Sequence, residues 1–289
     1  MKIKLTFIFA LIITLLYGCS SEKEYVPQSF LGHVDIVLDT ATVRALAADG
    51  FIRGEFSMVF YDTIIMVDQR SYDMYIIGTE NFLHISEARG FYGTQEGGMN
   101  VILQSKKPDM KDSLIGAWKK FTTYAVEVNP SKGQGYELFE VLPVIGWTNI
   151  QHPRIIPFLT TYSAESFKTW GYPDSVSRGL SMKSVMFALA GPSVDYVLFK
   201  KIDELYISAT SKEAELLASA LLAGGYEEEG GSYVHPSSAK IIINVLDNES
   251  MKRISKIKLK LNRSVPQTEK TYGKVKLSLN NDAGWMYFE

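Results

Sequence analysis

One pattern, a strand followed by a helix and then by several strands, occurs three times in this chain of 289 residues and constrains its fold more than any other feature. In the first occurrence, apolar and polar residues alternate over 32–38, which predicts a strand with one buried face. Asp39 follows as the N-cap of a helix, and Gly50 lies just past the end of that helix. Further strands are predicted at 56–61, 62–67, 74–77 and 82–86.

The second and third occurrences repeat this order. The second has a strand at 99–104 and a helix at 109–121. In the third, a strand at 204–208 precedes a helix that Thr210 and Glu213 begin as a capping box. Each unit has one helix, and short turns join the strands that follow it. The sheets are therefore predicted to be mixed or antiparallel, and the fold class to be α+β.

The N-terminal residues differ in character from the repeats. Residues 5–16 form an apolar run behind two lysines, and this run has the length of the hydrophobic region of a signal peptide and is too short to span a membrane comfortably. It leads to Cys19, the single cysteine of the chain. Leu16 and Gly18, which precede that cysteine, resemble the lipobox of bacterial lipoproteins.

This resemblance implies that residues 1–18 are a signal peptide and that Cys19 carries fatty acyl chains such as palmitate. An acylated cysteine excludes disulfides, thiol catalysis and zinc–thiolate sites, because no free thiol remains. The polar segment 19–29 is interpreted as the lipidated tether of a membrane-anchored domain. Ser20 and the sequence EKE that follows it resemble export signals of other lipoproteins, so the expected location is the outer membrane or the cell surface.

The charge balance argues against a nucleic-acid partner. The chain has 30 Lys and Arg and 32 Asp and Glu, a formal net charge of −2, and a sequence pI near 6.1. The one basic cluster, at 252–260, alternates lysines with apolar residues, which is typical of a half-buried strand with lysines on its outward face. The apolar fraction of 46% predicts a well-packed globular protein.

The repeats also suggest domain boundaries. Residues 30–92 and 93–172 are predicted to form two paired modules, together 30–172. Residues 173–191 are predicted to be a linker, and residues 192–289 to form a C-terminal βαβ-like unit.

The repeated βαβββ design resembles the vicinal oxygen chelate superfamily, which includes glyoxalases and extradiol dioxygenases. The strand GHVDIVLD resembles the opening strand of that superfamily, whose first histidine is usually a metal ligand, and this implies such a role for His33. The strand FLHISEA resembles a closing strand with a ligand, which implies the same role for His84. Glu87 is a weaker candidate, because its odd spacing from His84 sends it to the opposite face of a regular strand.

The second module offers poorer metal ligands. Asn100 stands where the opening strand of this superfamily often has His or Glu, and in the closing strand IPFLTTY either Thr161 or Thr160 takes the place of an expected acid. Asn100, Thr161 and Tyr162 are expected to line a pocket for a small molecule. A divalent metal ion is the cofactor implied by the resemblance, but a third strong ligand is missing. Asp35 is interpreted as an ordinary residue of the first strand, without a functional role.

Three functions remain open at this point. The first is a membrane-anchored lipoprotein that presents a small-molecule pocket without catalysis, as in an uncharacterised group of glyoxalase-like bacterial proteins that the C-terminal unit resembles. The second is a metal-dependent lyase or dioxygenase that uses His33 and His84, with Glu87 or Tyr162 moving a proton. The third is an interaction protein of the cell envelope. Neither a G-x-S-x-G motif nor a P-loop occurs in the sequence.

Overall fold

The computed structural model describes residues 29–66, 69–87, 96–133, 136–144, 153–171, 181–246 and 254–289. The predicted signal peptide and Cys19 lie outside the described residues, as does all but the last residue of the predicted tether. Within these ranges, no helix combines the length and the apolar character that a membrane span needs.

The first module follows the predicted order. It consists of β1 (Ser29–Leu38), α1 (Thr40–Ala48), a π-helical turn (Ile52–Phe56), β2 (Met58–Met66), β3 (Gln69–Ile77) and β4 (Phe82–Glu87). Strand β4 returns beside β1 and runs parallel to it, while β2, β3 and β4 form an antiparallel meander. Asp39 begins α1 as predicted, because its Oδ1 accepts a hydrogen bond from the backbone N–H of Thr42 at 3.0 Å.

The second module has the same topology. It consists of β5 (Met99–Ser105), α2 (Lys111–Trp118), β6 (Val126–Gly133), β7 (Tyr136–Pro143) and β8 (Ile155–Tyr162). Strand β8 is parallel to β5, and β5 is antiparallel to β1. The pairing of β1 with β5 joins the two modules into one eight-stranded sheet, with strand order β2-β3-β4-β1-β5-β8-β7-β6.

The segment after the second module contains helices. These are α3 (Ala164–Thr169), α4 (Met182–Ala190) and a 3-10 turn (Pro192–Tyr196). The sequence predicted a linker over 173–191, but the part of it that the structure describes is a helix capped by Ser181. Val185 and Met186 of that helix are buried against Phe167 of α3 and Ile77 of the first sheet. Burial of these apolar side chains outweighs the turn-forming residues that suggested a linker.

The C-terminal unit is a third βαβββ module, which is more than the predicted βαβ-like unit. It consists of β9 (Phe199–Ala209), α5 (Ser211–Ala223), β10 (Glu227–Glu229), β11 (Ser232–Val234) and β12 (Lys240–Val245). Strand β12 is parallel to β9, as β4 is to β1. Strand β13 (Ile254–Tyr272) lies antiparallel to β9, as β5 does to β1, and β14 (Val275–Phe288) pairs with β13. The second sheet therefore has the order β10-β11-β12-β9-β13-β14.

The helices α1, α2 and α5 lie between the two sheets and share one core with them. Helix α1 contacts β4 and β13, and helix α5 contacts β8 as well as β9 and β12. Trp118 of α2 is fully buried in this core, and its Nε1 donates a hydrogen bond to Ser219 Oγ of α5 at 2.9 Å. Each sheet thus has an inner face against these helices and an outer face turned away from them. The predicted α+β class, with mixed sheets and repeated modules, is confirmed.

Candidate functional site

The outer face of the first sheet carries a cluster of acidic and histidine side chains. Val34 and Ile36 of β1 are fully buried on the inner face. Because successive side chains of a strand point to opposite faces, His33 and Asp35 project from the outer face. Both are partly accessible, with side-chain exposures of 24% and 15%.

Strand pairing places three further side chains in one row with Asp35. Asp35 is the partner of His84 on β4 and of Asn100 on β5. His84 is in turn the partner of Tyr75 on β3. The row therefore crosses four adjacent strands and includes residues from both modules.

Asp35 lies at the centre of the hydrogen bonds in this cluster. Its Oδ1 is 2.9 Å from His84 Nδ1 and 3.4 Å from His33 Nε2. Its Oδ2 accepts a hydrogen bond from Asn100 Nδ2 at 2.9 Å. On the other side of the ring, His84 Nε2 is 3.7 Å from Oδ2 of Asp73, a buried residue of β3. The imidazole of His84 therefore lies between two carboxyl groups.

These contacts decide the protonation of the central pair. Burial by itself lowers the pKa of His84, but the hydrogen bond to Asp35 and the electrostatic attraction of Asp35 and Asp73 outweigh it and raise that pKa to about 9. Burial likewise opposes ionisation of Asp35, yet hydrogen bonds from His33 and His84 hold its pKa well below its usual range. At neutral pH, the pair is therefore an imidazolium and a carboxylate.

Aromatic rings fix the two imidazoles in place. His33 stacks on Phe82, with ring centroids 4.1 Å apart, and His84 stacks on Tyr75 at 4.4 Å. Phe82 and Tyr75 also pack against the cluster that α3 and α4 form with the sheet. The helical segment after the second module thus forms one wall beside the histidines.

The opposite flank of the row is apolar. On the outer face of β5 and β8, Ile102, Ile156 and Phe158 form a separate buried cluster with Leu142 of β7 packed against it. Asn100 lies next to this cluster, since its partner on β8 is Ile156. Its amide orientation is fixed because Nδ2 donates to Asp35, and no hydrogen-bond donor among the described residues reaches its buried Oδ1. A ligand that donates a hydrogen bond would satisfy this oxygen.

The structure brings together three of the residues singled out in the sequence, His33, His84 and Asn100. Glu87 does not join them, because it follows the alternation of β4 to the inner side, where its Oε1 is 4.0 Å from Arg44 Nε of α1. Tyr162 is on the outer face but packs edge-on against Trp170, with centroids 5.1 Å apart, and so belongs to the helical wall.

Thr161 also lies away from the cluster. Its Oγ1 accepts a hydrogen bond from the backbone N–H of Met110 and donates one to the carbonyl of Lys107. Thr160 is the residue of this strand that faces outward, and its Oγ1 donates to Gln104 Oε1 at 2.8 Å. The pattern IPFLTTY does not reveal which of two adjacent threonines faces outward, because Thr160 and Thr161 are both buried.

Sequence reasoning missed Asp35, Asp73 and Tyr75. Asp35 was detectable, because it is two residues from His33 in an alternating strand and therefore shares its face. Asp73 and Tyr75 enter the site through the pairing of β3 with β4, and a single sequence carries no direct record of that pairing.

The cluster does not fit the divalent metal ion that the superfamily resemblance implies. A ligating imidazole must be neutral at the nitrogen that binds the metal, whereas both nitrogens of His84 face carboxyl groups. Both oxygens of Asp35 are in contact with His33, His84 or Asn100. Among the residues that the structure describes, no three His, Cys, Asp or Glu side chains converge as a metal site.

Comparison with known proteins gives similarity to solved structures only. No protein-family model matches the chain, and no curated protein matches it. Glyoxalase I from Zea mays is 14% identical, with a TM-score of 0.32 over 75% of this chain and 68% of that chain. A mutant of 4-hydroxymandelate synthase from Streptomyces coelicolor is 12% identical, with a TM-score of 0.30 over 52% of this chain and 54% of that chain.

A mutant methylmalonyl-CoA epimerase from Streptomyces coelicolor is 15% identical, with a TM-score of 0.28 over 46% of this chain and 97% of that chain. This chain spans about half the length of the 4-hydroxymandelate synthase. The paired βαβββ modules are seen directly in the strand order of the chain itself.

Proposed function

We propose that this chain is a lipoprotein, anchored by acylated Cys19 at the outer membrane or cell surface, that binds a small molecule at the His33–Asp35–His84–Asn100 cluster without a metal ion. The observation that carries the binding site is the imidazolium–carboxylate pair beneath the partly exposed His33. The lipobox-like sequence before Cys19 supports the anchor.

The chemistry of the cluster favours a ligand that donates hydrogen bonds. The single imidazolium of His84 lies between two carboxyl groups, those of Asp35 and Asp73. Asn100 adds an acceptor oxygen without a protein donor among the described residues. The partly exposed ring of Phe82, on which His33 stacks, suits a nonpolar part of the same molecule. We infer a small amine or amino alcohol with an apolar portion.

Thermal unfolding of the full chain in detergent micelles tests this site. We expect phenethylamine and the amino alcohol 2-amino-1-phenylethanol to raise the Tm in a dose-dependent way, and succinate to leave it unchanged. Both His33→Ala and Asp35→Asn should abolish the shift, whereas Asp282→Asn, which changes an acid on the other sheet, should preserve it. Stabilisation by succinate in place of the amines would contradict the proposal.

The anchor is tested separately by labelling. Cells that express the chain are grown with an alkyne analogue of palmitate, and the purified protein is examined by intact mass. We expect a chain that begins at Cys19 and carries the label, and an unlabelled chain for Cys19→Ser. Equal labelling of both chains, or an uncleaved unlabelled wild type, would refute lipidation at this cysteine.

A further inference from the structure

The third module repeats the register of the first with different side chains. Strand β9 leads to the N-cap Thr210 of α5, just as β1 leads to the N-cap Asp39 of α1. Asp35 lies four residues before Asp39, and Tyr206 lies four residues before Thr210. Tyr206 therefore occupies the position in the third module that Asp35 occupies in the first.

The neighbours of Tyr206 are equivalent as well. Tyr206 is the partner of Ile242 on the parallel strand β12 and of Lys256 on the antiparallel strand β13. Asp35 has His84 and Asn100 at these two places. The outer face of the second sheet therefore has the framework of the first site, with a tyrosine, an isoleucine and a lysine in place of its polar row.

Aromatic rings continue this row onto β14. Trp285 and Tyr287 are two residues apart and both lie on the outer face of that strand. Their ring centroids are 6.1 Å apart, with an angle of 22° between the planes. Tyr206 lies 5.9 Å from Trp285. Tyr206 and Trp285 are partly exposed, and Tyr287 is 37% exposed. The three rings form a partly exposed aromatic strip on this outer face.

Lys256 is the cation of this strip. Its Nζ lies 4.3 Å from the ring centroid of Tyr206 and 4.8 Å from that of Trp285. The other lysines of the same strand face have acidic partners, since Lys258 pairs with Glu204 and Lys260 with Asp282. Within the described part of the chain, no carboxylate lies within ion-pair distance of Lys256. Its charge therefore suits an anionic ligand.

We propose that this aromatic–lysine face, formed by Tyr206, Lys256, Trp285 and Tyr287, binds an anionic polysaccharide. A small ligand normally requires a concave pocket, which an open sheet face does not provide, whereas an extended chain gains contacts along the whole strip. The apolar faces of sugar rings stack on aromatic planes, and a uronic carboxylate pairs with Lys256. An acidic peptide would use the charge but would not require a row of rings.

Affinity electrophoresis of the full chain in gels that contain polygalacturonate tests the proposal, with dextran as the neutral polymer and polyglutamate as the acidic peptide. We expect retardation by polygalacturonate alone. Affinity should fall about tenfold for Trp285→Ala and several-fold for Lys256→Gln, as for central residues of a binding surface. Lys260→Gln is the matched control, because it removes a paired lysine of the same strand, and Asp35→Asn should have no effect.

Tyr287→Ala, at the most exposed ring, gives a second test if Trp285→Ala is unstable in thermal unfolding. The proposal is overturned if wild-type chain is not retarded by polygalacturonate, or if dextran or polyglutamate retards it equally. It is also overturned if Lys260→Gln weakens binding as much as Lys256→Gln, because general charge would then explain the retention.

Discussion

Asp35 determines what the first site can do, because one carboxylate contacts both histidines and Asn100. The residue two positions before it, His33, was identified from the sequence, and the alternation of the strand predicts that the two share a face. The partnership with His84 could not be predicted in the same way, because it depends on β4 returning beside β1 at a particular register. The alternation within one strand therefore shows which residues share a face of the sheet, whereas the pairing of strands determines which of them meet in the site.

Replacement of Asp35 by asparagine tests how much this residue contributes to the stability of the fold. Asp35→Asn leaves the imidazolium of His84 with a poorer partner in a buried position, and we expect a loss of about 3 kcal/mol in the free energy of unfolding. Urea denaturation at pH 7 measures this change in the free energy of unfolding. Asp282→Asn, at an exposed ion pair, should leave stability unchanged. If the two variants behave alike, the network around Asp35 does not stabilise the fold.

At the scale of elements, caps and helices were predictable and contacts between modules were not. The capping box of Thr210 and Glu213 is present as predicted, because its residues are three apart in the sequence. By contrast, His235 precedes Pro236, a sequence typical of an exposed turn, yet it is 6% exposed because of contacts between modules. It lies next to the contact in which the backbone N–H of Leu31 donates to Ser238 Oγ, which links β1 to the third module.

The burial of His235 gives a dependence of stability on pH. Burial, with a contribution from nearby Lys106, lowers its pKa to about 4 from an ordinary value of 6.5. Between these values the unfolded chain binds a proton that the folded chain does not, so the contribution of His235 weakens as pH falls from about 6.5 towards 4. We expect the free energy of unfolding to fall between pH 7 and pH 5, and His235→Gln to reduce that fall. An unchanged slope in the variant would contradict this account.

At the scale of the whole molecule, three modules give two outer faces of different chemistry around one set of helices. The repeat and the α+β class were predictable, since each unit carries its own strand and helix pattern. The position of each module relative to the others was not predictable, because it depends on contacts between residues far apart in sequence, such as that of Trp118 with Ser219. The short strands β10 and β11, which complete the third module, have three residues each and give little periodic pattern.

No fitting set of metal ligands occurs among the residues that the structure describes, and this predicts how the chain responds to metals. After incubation with Fe²⁺, Zn²⁺, Mn²⁺ or Ni²⁺ and removal of excess ion, elemental analysis should find far less than one ion per chain. A chelator should leave the Tm unchanged. One tightly bound ion per chain that is lost in both His33→Ala and His84→Ala would instead support the metal-dependent enzyme.

The protonation of His84 is the most direct test of the central claim that the site is an imidazolium between carboxyl groups rather than a metal centre. Nitrogen-15 NMR of the imidazole, assigned by comparison with His84→Gln, reports the protonation of each ring nitrogen as pH is varied. We predict that both nitrogens of His84 carry protons at pH 7.5 and that the ring loses its charge near pH 9. A neutral ring at pH 7.5 with a transition near 6.5 would contradict the account.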